Sequence, residues 1–213
     1  MGLAQITPYG GITVMLPAAV VIGTWLWFSG NRRGATLWGA TLLSVYGIVA
    51  FSKILFKGWG IGLGSLNIAV ISGHAMNTSL MLTVTLSLLA GQIRHSLRWP
   101  AAAFGLLLSW FFAVNCVAPY FHPLQEAIAG ALLGSTAACV FLYGLEDTAE
   151  RVKIPGMALV LGLMFMAFNT TTTKYSAEHF LNHIAVSISG VERAHRKPEW
   201  RTPEELSEIR PSS

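Results

Sequence analysis

The chain has 213 residues, 53% of them hydrophobic and 11% charged, with a mean hydropathy of +0.55. Soluble domains carry about 25% charged residues, so this composition excludes an ordinary soluble domain and points to a polytopic membrane protein. The formal charge of +4 is spread along the chain with no basic stripe interleaved with aromatics, which argues against a nucleic-acid partner.

Apolar runs long enough to cross a bilayer as helices, about 20 residues each, recur along the chain. They predict an all-α integral membrane fold with six spans: 11–29, 35–56, 74–92, 99–118, 123–143 and 155–171. The first run has no basic residue before it and no A-x-A site after it, so it is expected to be a retained span rather than a cleaved signal. "SGNRRG" (29–34) and "RHSLRWP" (94–100) are short, charged and punctuated by Gly or Pro. "GLEDTAERVKIP" (144–155) ends on Pro155, which suits a first helical turn. The connection 57–73 is longer and glycine-rich. Residues 1–173 are thus expected to form a six-helix bundle, and 174–213 a polar tail with six basic and six acidic residues. Within that tail, "SAEHFLNHIAVSISGV" predicts a short amphipathic helix. Trp25, Trp27, Trp38, Trp59 and Trp99 fit an interfacial aromatic belt, and the small residues of "AGALLGSTAA" (129–138) suit close helix packing. Cys116 and Cys139 both fall in apolar spans and form no metal-type CxxC pair.

The connections at 29–34, 94–99 and 144–154 share one side and carry six basic residues, against Lys53 and Lys57 on the other. By the positive-inside rule the first side is cytoplasmic. The opposite side then faces outward, toward the periplasm if this is a bacterial inner-membrane protein.

Carboxylates are more informative than net charge. Before Glu146 the chain holds a single one, Glu126, inside the fifth span. An ionisable group within a membrane costs about 2.5–3.5 kcal/mol on insertion scales, which marks Glu126 as a functional candidate. It follows His122 by four residues, so the two share one side of a helical turn. A carboxylate that accepts from one imidazole nitrogen fixes the tautomer and leaves the other nitrogen as a nucleophile or base. The topology brings Lys53 and Lys57, at the end of the second span, and Ser72-Gly73-His74, at the start of the third, to the same side. Lysines and the amides of a helix start suit an anion, with phosphate the best fit, and they repel a divalent cation. A metal hydrolase built on His74, His122 and Glu126 is the competing reading of the same residues.

"SGHAM" (72–76) followed by "HPLQEAIAG" (122–130) resembles the type 2 phosphatidic acid phosphatase superfamily. Its pattern is KxxxxxxRP, then PSGH, then SRxxxxxHxxxD, and the resemblance covers residues 50–134. It implies a phosphatase that needs no metal or other cofactor and acts on a phosphorylated lipid in the bilayer. Carried over by position, His122 attacks phosphorus and forms a phosphohistidine, Glu126 orients it, and His74 protonates the leaving oxygen. Ser72 and Gly73 offer donors to the phosphate, and Lys53 matches the first-motif lysine. The chain departs from the pattern at Gly60 and Ile61 (for Arg-Pro), Ile71 (for Pro), Asn115 and Cys116 (for Ser-Arg) and Glu126 (for Asp). Both pattern arginines are therefore absent, and Lys57 is a candidate to replace one. The alternative is an inactive relative that binds or moves a phosphorylated lipid.

Overall fold

In the computed structural model, which describes residues 10–146, 162, 177–191, 193–195 and 198, the ordered elements are helices joined by tight turns. One antiparallel bridge, Leu63 to Ile68, is the exception among the described residues. The elements are α1 (Ile12–Phe28), α2 (Arg32–Trp59), α3 (Gly73–Ile93), α4 (Arg98–Phe112), α5 (Leu124–Glu146) and α6 (Ala177–Ser189). Among the described residues, four stretches are long and apolar enough to cross a membrane: α2, α3, α4 with its flanking turns (His95–Val117), and α5. α1 is an apolar helix of 17 residues, at the short end of what spans a bilayer. The predicted sixth span, 155–171, lies outside the described residues except for Gly162, which is helical and packs against Val21 of α1.

Local chemistry explains where the helices start and stop. Asn31 caps α2, its side-chain oxygen accepting from the Gly34 amide at 2.7 Å. Gly60 ends α2 in the left-handed region at φ 69° and donates back to Phe56 at 2.8 Å, with Ile61 reaching Leu55. Only glycine takes that conformation without a Cβ penalty. The following connection folds on itself: Leu63 and Ile68 exchange backbone hydrogen bonds at 2.8 and 3.1 Å around a 3₁₀ turn. Ser72 then caps α3.

α3 is the central helix, with α1, α4 and α5 packed around it. Its polar residues point inward: Asn77, Thr78, Ser79, Thr83 and Ser87 are all buried. Large apolar side chains point outward, including Leu43 and Phe51 on α2, Leu107 and Phe111 on α4, and Val140 and Tyr143 on α5. A bundle with hydroxyls inside and Leu and Phe outside is arranged for an apolar solvent. The predicted close packing around 129–138 is present. Gly130 and Gly134 of α5 sit against the carbonyl oxygens of Ser72 and Met76, leaving no room for a Cβ.

The three basic connections do not all lie in the described residues, but their ends converge. Gly34 meets Leu145, and Trp99 donates to Glu146 at 3.0 Å. At that end Arg98 is buried with its stem laid across Gly91. One member of the expected aromatic belt is corrected: Trp38 is 1% exposed. It donates to the Ala19 carbonyl at 2.8 Å and tilts against Phe141 at 4.9 Å, tying α1, α2 and α5 together. Trp27, Trp59 and Trp99 are exposed.

Candidate functional site

Four successive backbone amides decide how α3 begins. Those of Ala69 and Val70 donate to Oε1 of Glu126 at 3.0 and 3.3 Å. The Ile71 amide donates to Oγ of Ser52 at 3.2 Å, and the Ser72 amide to the Glu126 carbonyl at 3.2 Å. Buried amides need partners, and here α5 and α2 supply them all. The stretch leading into Ser72-Gly73-His74 is thereby clamped between two helices.

Glu126 is the hub of this clamp. Its side chain is 3% exposed, and its second oxygen, Oε2, lies 2.8 Å from Nδ1 of His122. An ionised carboxylate only accepts hydrogen bonds, so beside it Nδ1 carries a hydrogen, and in the neutral imidazole Nε2 keeps the lone pair. His122 itself stands in the turn before α5, not on the helix as its spacing suggested. Its amide reaches Val117, and Pro123 supplies the carbonyl that accepts from Glu126 and Ala127. The four-residue spacing still brings the two side chains together, because the chain enters the helix at Pro123. Gly130, one turn further, lets α5 approach Ser72 closely enough for Glu126 to reach the clamp.

His74 is half-buried on the first turn of α3, and its ring stacks on Phe121 with centroids 5.5 Å apart. Phe121 precedes His122, so this stacking holds both histidines at one end of the bundle. Gly73 packs toward Val49 of α2, where an added Cβ would lie 3.6 Å from the valine. Lys53 is one turn beyond Val49 on the same face, half-buried at that end. Ser72 is fully buried, and its Oγ accepts from the Ala75 amide at 3.4 Å as an N-cap. The amides of Gly73 and His74 open the helix and point out of its end.

Lys57 is placed differently. Its Nζ donates to Oδ1 of Asn182 on α6 at 2.6 Å, and its carbonyl accepts from the His195 amide at 2.9 Å. Gly58 packs on Ala185 and Ser189, and Gly60 faces the His195 ring. The tail is thus fastened to the end of α2 through Lys57. Asn115 and Cys116 fall in a π-helical turn, Ala113–Val117. The Asn115 side chain donates through Nδ2 to the Phe111 carbonyl at 2.9 Å, and Cys116 is buried. Among the described residues, no group of three His, Cys, Asp or Glu is disposed to hold a metal ion.

Sequence reasoning identified the His122–Glu126 pair but missed Ser52 and the amide clamp. Ser52 lies inside "AFSKILF", where a hydroxyl reads as an ordinary helix-packing residue. Backbone amides leave no mark in a sequence.

No family model matches this chain, and no solved structure matches it. It is 30% identical over 207 residues to the "Uncharacterized 22.5 kDa protein in cps region" of Klebsiella pneumoniae, an alignment spanning 95% of this chain and 97% of the relative. With that identity over nearly the full length of both proteins, the chain belongs to the same family as the Klebsiella pneumoniae 22.5 kDa cps-region protein.

Proposed function

We propose that this chain is a six-span integral membrane phosphatase, a divergent relative of the type 2 phosphatidic acid phosphatases. It removes phosphate from a lipid-linked phosphomonoester or pyrophosphate through a phosphohistidine. The observation that carries this reading is the buried pair of His122 and Glu126, with Nδ1 and Oε2 2.8 Å apart. A carboxylate fixed by two backbone amides holds the imidazole in the tautomer whose Nε2 is nucleophilic.

In the first step Nε2 of His122 attacks phosphorus, the N–P bond forms and the P–O bond to the leaving group breaks. His74 gives its proton to the departing oxygen. The positive charge left on the His122 ring is balanced by Glu126. In the second step His74 takes a proton from water, the hydroxide attacks phosphorus, the N–P bond breaks and inorganic phosphate leaves. Lys53 and the helix-start amides of Gly73 and His74 stabilise the phosphoryl oxygens. Losing one such electrostatic donor costs about 2.7–4 kcal/mol, so without the pattern arginines these groups carry a larger share of the work. The substrate is amphiphilic: Ile61, Leu63, Leu66, Tyr120, Phe121 and Leu124 are exposed apolar residues around this end, suited to acyl or prenyl chains. The excess of basic residues in the connections at the other end supports a site on the outer face of a bacterial inner membrane by the positive-inside rule.

The test is phosphate release from a panel of lipid phosphates in detergent with EDTA present, comparing wild type with His122→Ala. Release by wild type that vanishes in the variant is the expected result. A second reading, an inactive protein that binds a phosphorylated lipid, is favoured by Lys57 being engaged by Asn182 and by the π-turn offering no cation. Its signature is no release from any lipid while the folded protein retains a phosphorylated lipid that Lys53→Ala does not.

A further inference from the structure

We propose that Ser52 is a positioning residue, which sets Lys53 against the start of α3 by holding the Ile71 amide. This inference rests on the phosphatase reading for its catalytic consequence, and on the hydrogen-bond geometry for its structural one.

Both hydrogen-bonding roles of the Ser52 hydroxyl are committed. It donates to the Val49 carbonyl at 2.9 Å, which fixes its rotamer, and it accepts from the Ile71 amide at 3.2 Å. Of the four amides from 69 to 72, the other three go to Glu126, on α5. Ser52 therefore supplies the α2 side of the clamp. α2 otherwise meets α3 only lightly, with Val49 beside Gly73. The next residue after Ser52 is Lys53, one helical turn beyond Val49 and on its face. Any slip or rotation of α2 relative to the Ser72-Gly73-His74 turn moves the lysine along with it. The hydroxyl is thus a register pin between a cation on one helix and the amides of another. Threonine keeps the same donor and acceptor on a helix, whereas alanine leaves the Ile71 amide without its partner.

The test compares wild type, Ser52→Ala and Ser52→Thr, each also in a Lys53→Ala background, in two measurements. Amide hydrogen exchange is read over residues 69–74, with α5 as an internal reference. Phosphate release from a lipid phosphate that wild type hydrolyses gives kcat and KM. The expected result is faster exchange over 69–74 in Ser52→Ala, with exchange in α5 unchanged and Ser52→Thr protected. The accompanying kcat/KM falls about tenfold, as one lost buried hydrogen bond predicts. Ser52→Thr restores it, and Ser52→Ala adds no further loss once Lys53 is gone. Unchanged exchange in Ser52→Ala overturns the proposal, as does an equal loss with and without Lys53. If wild type releases no phosphate, the phosphatase reading fails on its own. The exchange comparison then decides the structural claim, and binding of inorganic phosphate decides the link to Lys53: weaker in Ser52→Ala only when Lys53 is present supports it, and equal binding overturns it.

Discussion

At the scale of single residues, three groups that meet the Glu126 carboxylate all ask it to accept a hydrogen bond. Two backbone amides require an acceptor, and so does the protonated Nδ1 of His122. Only a carboxylate satisfies all three. In Glu126→Gln the amide oxygen can still serve Ala69 and Val70, but the NH₂ group then faces Nδ1 and favours the tautomer with its hydrogen on Nε2. On the phosphatase reading the nucleophile is then lost while the clamp stays. By analogy with the aspartate-to-asparagine change in a serine-protease triad, kcat is expected to fall by about 10⁴. Thermal unfolding in detergent should move little, because the loop amides keep their acceptor. A large drop in stability with Glu126→Gln would instead make the carboxylate a purely structural post. Much of this was legible in the sequence: one carboxylate in the first 145 residues, four positions after a histidine, is a strong pattern. The amides of 69–72 were not legible, because backbone donors belong to every residue and only the fold selects which ones meet.

At the scale of elements, the decisive contact is between α5 and α3. Gly130 and Gly134 lie one and two turns after Glu126 on the same face, and both rest on backbone carbonyls of α3. Close approach of this kind replaces the hydrophobic effect as the means of holding helices together in lipid. A methyl group at either position meets main-chain oxygen, which cannot rotate away. Gly130→Ala is therefore expected to cost about 1–3 kcal/mol through overpacking. It should also lower activity beyond what that destabilisation explains, since it lifts Glu126 off the clamp. Gly134→Ala, a turn further from the site, serves as the control: similar destabilisation, smaller loss of activity. Equal loss from both would mean the contact holds the bundle without aiming the carboxylate. The small-residue run "AGALLGSTAA" announced a packing face, yet nothing in it says that the partner is α3 or that the register falls on Ser72. Trp38 shows the opposite limit. Its indole looked interfacial by type, but a carbonyl of α1 lay within reach and the ring was drawn into the core.

For the whole molecule, the ends of the helices sort into two faces. The turn at 63–68 and both histidines lie at the start of α3, and the turn at 95–97 lies beyond its other end. With 21 residues in α3, the two faces stand about 32 Å apart. Single cysteines at Ser65 and Ser96, in a background with Cys116 and Cys139 replaced by alanine, test the sidedness. A charged maleimide added to intact spheroplasts should label Ser65→Cys at once and Ser96→Cys only after permeabilisation. The reverse pattern would put the histidines on the cytoplasmic side and exclude a periplasmic substrate pool. The clasp between Lys57 and Asn182 also constrains how the molecule is made. Every residue of the candidate site leaves the ribosome before α6 does, so α6 docks on the end of α2 only after those residues have been made. A nascent chain halted before residue 177 would hold its histidines and Glu126 in sequence but lack the hydrogen bond from Lys57 to Asn182. Docking of α6 on the end of α2 is therefore a late event, which follows synthesis of the helices that carry both histidines and Glu126.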